Sequence, residues 1–388
     1  MKLFYRFILV SLNMKILYVL HSTNPDGSIQ SFLTMVKGIA EHGVSIMIVG
    51  PTPRIDFLEK IKDIDVEYQS IHIAENVYPF KDRIPLIVYY LKILNLLRRR
   101  CRSFRELYAI AKQYNPDIIH TNCGTIKEGF RVAQKLKKPH VWHIREHQGN
   151  DTLWVPFPTK KKLEHSFKKS NIIAITNSLL QYYGLSQNFL NRVIYNGILP
   201  KSAKFYKWPK EKFFLISSRI SEEKCIIDII ETFAEFSHSR NDFKLIILGN
   251  GDSAYVEELK NRVEELGCEN NVVWEGYVSN VLPYMQRASA LVVASKNEGF
   301  GRMTAEALIN GCTVIGRNNT GTKEILDYAG GLLFNTNAEM LEHMHLVASL
   351  SENQYKTLVQ PAQKKALDAY CIENHVDQVF KFYNDILA

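Results

Sequence analysis

Residues 290–308 read ALVVASKNEGFGRMTAEAL, and the character of the chain changes twice along this stretch. Leu291, Val292, Val293 and Ala294 make a short apolar run that suits a buried strand. Ser295 to Gly301 form a polar loop with glycines at 299 and 301. From Arg302 onward, Met303, Ala305, Glu306, Ala307 and Leu308 are good helix formers. A strand, a glycine-bearing turn and a helix N-terminus together turn backbone N–H groups and the positive end of a helix dipole toward an anion. Two carboxylates, Glu298 in the loop and Glu306 in the helix, place acceptors beside those donors.

Acceptors next to amide donors suit a ligand that carries both phosphates and hydroxyls, as a nucleotide sugar does. On spacing alone, a tight strand-to-helix turn with Glu306 on a solvated face fits equally well. The segment resembles the E-x7-E motif of family 4 retaining glycosyltransferases, nucleotide-sugar enzymes of the GT-B fold. The match extends over Glu298-Gly299-Phe300-Gly301 and Ala305-Glu306-Ala307-Leu308. The resemblance implies an α/β protein of two doubly wound, Rossmann-like domains, with the active site in the cleft between them.

Working outward, the pattern of short apolar runs alternating with helical segments agrees with that class. Met14 to Leu20 reads as a first buried strand, followed by the turn-rich His21-Ser22-Thr23-Asn24-Pro25-Asp26-Gly27-Ser28. Phe32, Leu33, Met35, Val36 and Ile39 then fall at helical spacing, and His42-Gly43 closes the helix before a strand from Val44 to Val49. Further strands are expected at 118–120, 140–144 and 172–175, with a helix over 126–136, and Val193 to Ile198 closes the first series. A basic linker, Pro200 to Lys212, leads to strands at 213–217, 243–248, 272–274 and 313–315 and helices at 226–236 and 254–266. The expected domains are residues 1–205 and 206–371, with an amphipathic terminal helix at 372–388 that the resemblance returns to the first domain.

Charge divides the 388 residues unevenly. Residues 1–200 hold 28 Lys and Arg against 15 Asp and Glu, a balance of +13, whereas residues 201–388 hold 20 against 25, a balance of −5. The first half therefore suits an anionic partner such as a membrane surface or a phosphorylated lipid. No zinc-finger spacing and no RNA-binding aromatic motif accompanies the charge, so nucleic acid is not expected. Residues 84–97, IPLIVYYLKILNLL, run straight into Arg98-Arg99-Arg100-Cys101-Arg102. An apolar helix ending in a cationic cluster is what an interfacial anchor needs, and also what a buried helix with a solvated basic end looks like. The six cysteines contain no C-x-x-C pair and read as reduced thiols of a cytoplasmic protein, peripheral on the inner face of the membrane if the anchor reading holds. Residues 1–13, MKLFYRFILVSLN, are too short to span a bilayer and lack a cleavage site, and translation could start at Met14.

Arg219 and Lys224, in SRISEEK at 218–224, follow a strand and could neutralise a leaving diphosphate, although two surface cations beside Glu222 and Glu223 would look the same. The segment resembles the family's G-R-x4-K-G loop, with Ser218 and Cys225 standing where the glycines would be. The resemblance implies that Arg219 and Lys224 grip the donor phosphates, Glu298 meets the donor sugar, and Glu306 bonds the ribose hydroxyls. It further implies that the backbone around Phe300, Gly301 and Arg302 serves sugar and phosphate, and that loops bearing Gly249 and Tyr277 shape the base pocket. In the first domain it implies that Gly27 approaches the phosphates and that His143 lies near the reacting sugar. Gly321-Thr322-Lys323-Glu324 matches the family's G-x-x-E turn only loosely. Asp63-Ile64-Asp65 spells the D-x-D of metal-dependent enzymes but lies in a lysine-rich loop without a further acidic ligand, so no metal and no cofactor is expected. The expected activity is retaining transfer of a hexose-type sugar from a nucleotide sugar to a glycan or lipid-linked acceptor. A non-catalytic nucleotide-sugar-binding partner subunit and a GT-B 2-epimerase are the alternatives.

Overall fold

The computed structural model describes residues 14–79, 85–149, 154–203 and 205–388. The N-terminal segment 1–13 lies outside them. The chain divides into two compact units, Met1–Gly197 with Ile372–Ala388, and Ile198–Cys371. The boundary thus falls after Gly197 and not after residue 205. The expected linker belongs to unit 2, where the Gln363 side chain donates to the backbone carbonyl of Phe205 at 2.5 Å.

Unit 1 is built on a parallel sheet in the order β3-β2-β1-β5-β6-β8-β9. Its strands are β1 (Lys15–Val19), β2 (Ser45–Gly50), β3 (Val66–Ser70), β5 (Ile118–Thr121), β6 (His140–Ile144), β8 (Asn171–Ala174) and β9 (Asn191–Val193). β4 (Val77–Pro79) and β7 (Trp154–Pro156) form a separate antiparallel pair. Every residue of β5 and β6 is buried, as expected of central parallel strands covered on both faces. The sheet's last strand ends at Val193, the Ile194 N–H still donates to the Ala174 carbonyl at 3.0 Å, and unit 1 ends at Gly197.

Helix α1 (Gly27–Glu41) starts where the Asp26 side chain accepts from Ser28 and Ile29 N–H, and buries Phe32, Leu33, Met35, Val36 and Ile39. Helix α2 (Leu86–Tyr114) corrects the reading of 84–97 as a helix ending at the arginines. Arg98 to Arg102 lie within one 29-residue helix, because nothing in them breaks helical hydrogen bonding before Asn115 takes the left-handed conformation ahead of Pro116. Helices α3 (Glu128–Leu136) and α4 (Lys160–Phe167) follow.

Unit 2 carries β10 (Phe213–Ser217), β11 (Lys244–Leu248), β12 (Val272–Gly276), β13 (Ala290–Val293), β14 (Thr313–Arg317) and β15 (Leu332–Phe334). All pair parallel in the order β12-β11-β10-β13-β14-β15. The helices that bear on the site are α5 (Ile226–Ser239), α6 (Arg302–Ile309), α7 (Thr320–Ala329) and α8 (Glu352–Tyr370). In unit 2, then, the strand order reverses between β10 and β13, and ligands of open α/β sheets bind outside the carboxyl ends of strands at such a switch point.

The terminal helix α9 (Ile372–Leu387) belongs to unit 1, where it packs on α1. A Cβ on Gly38 of α1 would lie 2.4 Å from Val376 Cγ2, so the glycine sets how closely the two helices approach. The Tyr383 hydroxyl is 3.1 Å from the Tyr18 hydroxyl and 2.7 Å from His120 Nδ1, tying α9 to β1 and β5. Among the described residues no helix is long and apolar enough to cross a membrane.

Candidate active site

The loops after β10 and β13 meet at the switch point of unit 2. The first, 218–225, contains a single 3-10 turn at Glu222–Lys224 and ends at Cys225, whose φ of 50° and ψ of 42° are left-handed. This is the position where a glycine was expected. The loop keeps a glycine-like backbone with a buried thiol in its place, at a conformational cost of about 1–2 kcal/mol. On the other loop, the Lys296 N–H donates to the Glu223 carbonyl at 3.0 Å. Lys224 Nζ then reaches Glu298 Oε1 at 2.6 Å, both side chains about one-fifth exposed. Two predicted residues 74 positions apart are thus joined directly.

Arg219 is more exposed, and its guanidinium pairs with Glu223 on its own loop. Gly249 closes the floor beneath. Its φ is 139°, and a Cβ there would fall 1.8 Å from the Ser218 carbonyl oxygen, so only glycine fits. Its N–H donates to the Gly276 carbonyl at 2.7 Å, and the next residue, Tyr277, projects its ring into solvent.

Gly301 caps α6 in the left-handed region, with φ 91°. The Phe300 ring is buried and packs edge-on against Tyr370, so this residue can offer a ligand only its backbone. One turn into α6, Glu306 is buried and lies 2.7 Å from Arg302 Nε. Burial raises its pKa above the ordinary glutamate range, against the opposing pull of Arg302.

What holds the Glu298 loop in place was not legible in the motif. Arg317, at the end of β14, donates to the Ala294 carbonyl at 2.8 Å and to Asp228 of α5 at 2.6 Å. Asn319 donates to the Lys296 carbonyl, the Glu298 N–H donates to the Thr320 hydroxyl, and the Gly321 N–H donates back to the Glu298 carbonyl. A Cβ on Gly321 would lie 2.3 Å from the Phe300 carbonyl oxygen. The loosely matching G-x-x-E turn is therefore the backing of the E-x7-E loop. Arg317 carried no sequence signal beyond closing a strand.

The two candidates of unit 1 sit differently. Gly27 is exposed at the first position of α1, but the amides of Ser28 and Ile29 that follow it are taken by Asp26. His143 lies inside β6, fully buried, 3.3 Å by Nδ1 from Arg145 Nη2, and burial holds its pKa far below the ordinary imidazole value. The first residues past the carboxyl end of β6 are Arg145 and Glu146, which the reading of the sequence passed over. Arg145 is buried and donates to Asn122 at 3.1 Å and to Asn196 at 2.7 Å. Burial brings its pKa down to about 10, against the raising effect of Glu146. The signal that could have found it is position, since ligand-facing residues of such sheets gather just beyond strand ends. Asp63 and Asp65 are exposed in the turn before β3. Among the described residues no cluster of three His, Cys, Asp or Glu could hold a metal.

Residues 200–366, nearly all of unit 2, match the family model described as glycosyl transferases group 1. The chain is a GT-B glycosyltransferase whose unit 2 carries a glycosyl transferases group 1 domain. This glycosyltransferase is 24% identical over 397 residues to an alpha-monoglucosyldiacylglycerol synthase of Acholeplasma laidlawii, covering 92% of this chain and 94% of that one. It is 27% identical over 319 residues to a synthase of the same name from Streptococcus pneumoniae, covering 69% of each. Among solved structures it superposes on Anabaena HepE in complex with UDP-glucose with a TM-score of 0.73 at 18% identity, over 95% of this chain and 98% of that one. At that identity the likeness is one of fold.

Proposed function

We propose that this glycosyltransferase moves a hexose from a nucleotide sugar to a hydroxyl of a glycan or lipid-linked acceptor with retention at the anomeric carbon. The observation that carries the reading is the 2.6 Å contact between Lys224 and Glu298 at the carboxyl ends of β10 and β13. A cation for the leaving diphosphate and a carboxylate for the sugar stand side by side there, and such preorganised charge is worth most where charge develops. In this reading Lys224 and Arg219 stabilise the departing diphosphate without a metal or other cofactor, and Glu306 accepts from the ribose hydroxyls. The amides that lead into α6, from Phe300 to Arg302, meet phosphate and sugar, and the loops of Gly249 and Tyr277 flank the base. The acceptor hydroxyl loses its proton to the leaving phosphate on the same face, and Glu298 orients the sugar without becoming glycosylated. Gly27 offers its backbone to the phosphates, and His143 acts as a positioning residue that orients Arg145.

HepE was solved in complex with UDP-glucose, and the two synthases named above are named for a monoglucosyldiacylglycerol product, so UDP-glucose is the donor to test first and diacylglycerol lipids the first acceptors. A lipid-linked acceptor would bring the protein to the cytoplasmic face of an anionic membrane. The test is a thermal-shift series with UDP-, GDP- and ADP-sugars, with and without EDTA, on the wild type and on Glu306→Ala. A donor bound at a hundred times its Kd stabilises the folded protein by about 3 kcal/mol, a shift of a few degrees. Stabilisation by one nucleotide class, indifferent to EDTA and absent in Glu306→Ala, supports the reading. No shift with any donor would turn the case toward a non-catalytic subunit, and a covalent sugar on Glu298 would refute the same-face route.

A further inference from the structure

Helix α2 leaves one face uncovered. Ile87, Tyr90, Leu91, Leu94 and Leu97 recur at three- and four-residue steps along it and are 72, 58, 61, 47 and 43% exposed. Five large apolar side chains in one stripe, in a helix whose opposite side buries Leu96, Ser103, Leu107 and Ala111, is not the surface of an ordinary solvated helix. The stripe runs directly into Arg98, Arg102 and Arg105 on the same side of the helix.

Leu97, the last residue of the stripe, also lines a cavity of about 440 Å³ between α2, α3 and α4. Its other walls include Arg100, Lys127, Arg131, His165 and Lys169. Two of these cations, Arg100 and Arg131, pair with Glu128, which is fully buried and saturated. Its Oε1 accepts from Arg100 at 3.0 Å and Arg131 at 3.4 Å, and its Oε2 from Asn76 at 3.0 Å and the Lys127 N–H at 3.3 Å. Glu128 therefore orders two guanidiniums at the cavity wall without balancing the remaining cations. Burial and the neighbouring Arg100 lower the pKa of Lys127, a strain that an anion in the cavity would relieve.

We infer that unit 1 binds the phosphate headgroup of an anionic bilayer phospholipid in this cavity, with the apolar stripe of α2 seated among the acyl chains. The two features are complementary to the two ends of one molecule, and Leu97 is where they join. A solvated phosphate would need the cations but not the stripe, and an apolar protein partner would need the stripe but not the cations. Interfacial helices combine an aliphatic face with flanking cations in this way. The inference names a site for the membrane contact proposed above and does not depend on donor chemistry.

Vesicle flotation of the full-length protein, without nucleotide sugar, tests it. Phosphatidylcholine vesicles are compared with vesicles that also contain phosphatidylglycerol. The wild type should float with the second and weakly with the first, and salt should weaken binding. Lys127→Gln with Lys169→Gln should cut affinity for the anionic vesicles about 25-fold, at roughly five-fold per cation, and leave residual binding to neutral ones unchanged. Leu91→Ser with Leu94→Ser, both exposed and hence tolerable to the fold, should abolish flotation with either at an unchanged melting temperature. Cys101 lines the cavity and is the exposed cysteine among the described residues, so its thiol should be shielded from a maleimide by anionic vesicles and not by inorganic phosphate. Equal binding to both vesicle types, full binding by either double variant, equal protection of Cys101 by inorganic phosphate, or dimerisation through the stripe without flotation would each overturn the inference. Because the assay contains no donor, failure here leaves the nucleotide-sugar reading standing, and loss of donor binding elsewhere leaves this one standing.

Discussion

At the scale of single residues, the site depends on a few backbone positions that tolerate no substitution. Gly321→Ala would place a methyl 2.3 Å from the Phe300 carbonyl and 2.8 Å from that of Glu298, and the loop must move. Overpacking of this kind costs about 1–3 kcal/mol, and a displacement near 1 Å at a reacting group costs about a hundredfold in rate. Activity should therefore fall far more than the melting temperature, which turnover and thermal melts on the same preparation will check. Cys225 makes the opposite case. Its left-handed backbone already bears a side chain, so Cys225→Gly exchanges relief of strain for loss of a buried thiol and should be nearly neutral. Cys225→Val should lose more than about 2 kcal/mol, since a β-branched residue resists positive φ. Chemical denaturation of the pair gives the comparison. Glu306 adds a pH signature. Burial raises its pKa, so on acidification it protonates before an ordinary glutamate, and in the role proposed for it the protonated acid no longer accepts from donor hydroxyls as a carboxylate does. Donor affinity should decline on the acid side from a pH above the usual carboxylate range, and Glu306→Gln should be weaker throughout and flat.

Among the secondary-structure elements, the terminal helix carries the most consequence for its length. α9 buries Val376, Val379, Phe382 and Tyr383 in the core of unit 1 and supplies the hydroxyl that meets Tyr18 and His120. At about 1.5–3 kcal/mol for each large apolar side chain, deletion of 372–388 removes an amount comparable to the whole stability of a domain, about 5–15 kcal/mol. The truncated protein should lose the folded signal of unit 1 while unit 2, whose core lies within 198–371, keeps a cooperative melt. Limited proteolysis followed by mass analysis distinguishes the two. A truncated chain that melts like the wild type would show that α9 is dispensable.

For the molecule as a whole, acid should affect the two units unequally. Among the imidazoles that unit 1 buries, His120, His140, His143 and His375 have lowered pKa values with burial as the leading cause, His140 to about 3 and His375 to about 4. An unfolded chain holds these groups near 6.5, so it takes up protons that the folded unit refuses. The stability they favour is complete above about pH 6.5 and is lost as pH falls from there toward the folded values. Thermal melts between about pH 7 and 4 should show unit 1 losing stability steeply and cooperatively, with unit 2 less affected. His140→Gln should flatten the acid limb.

The sequence by itself determined the doubly wound class and the two loops that meet at the switch point of unit 2. Strand runs, helix periodicity and the loops Arg219–Lys224 and Glu298–Glu306 are local patterns, and a parallel sheet gathers its loops at one edge whatever fills the helices. Only the tertiary structure decided which of those residues touch. That Lys224 meets Glu298, that Gly321 backs the Glu298 loop, that α9 completes unit 1 and that His143 lies inside a strand core all depend on packing between residues far apart in the chain. The basic segment after residue 84 shows the limit best. Its composition was equally that of a buried helix and of an anchor, because periodicity reports which side chains share a face and cannot report whether anything covers it. Packing left one face of α2 open beside a cationic cavity.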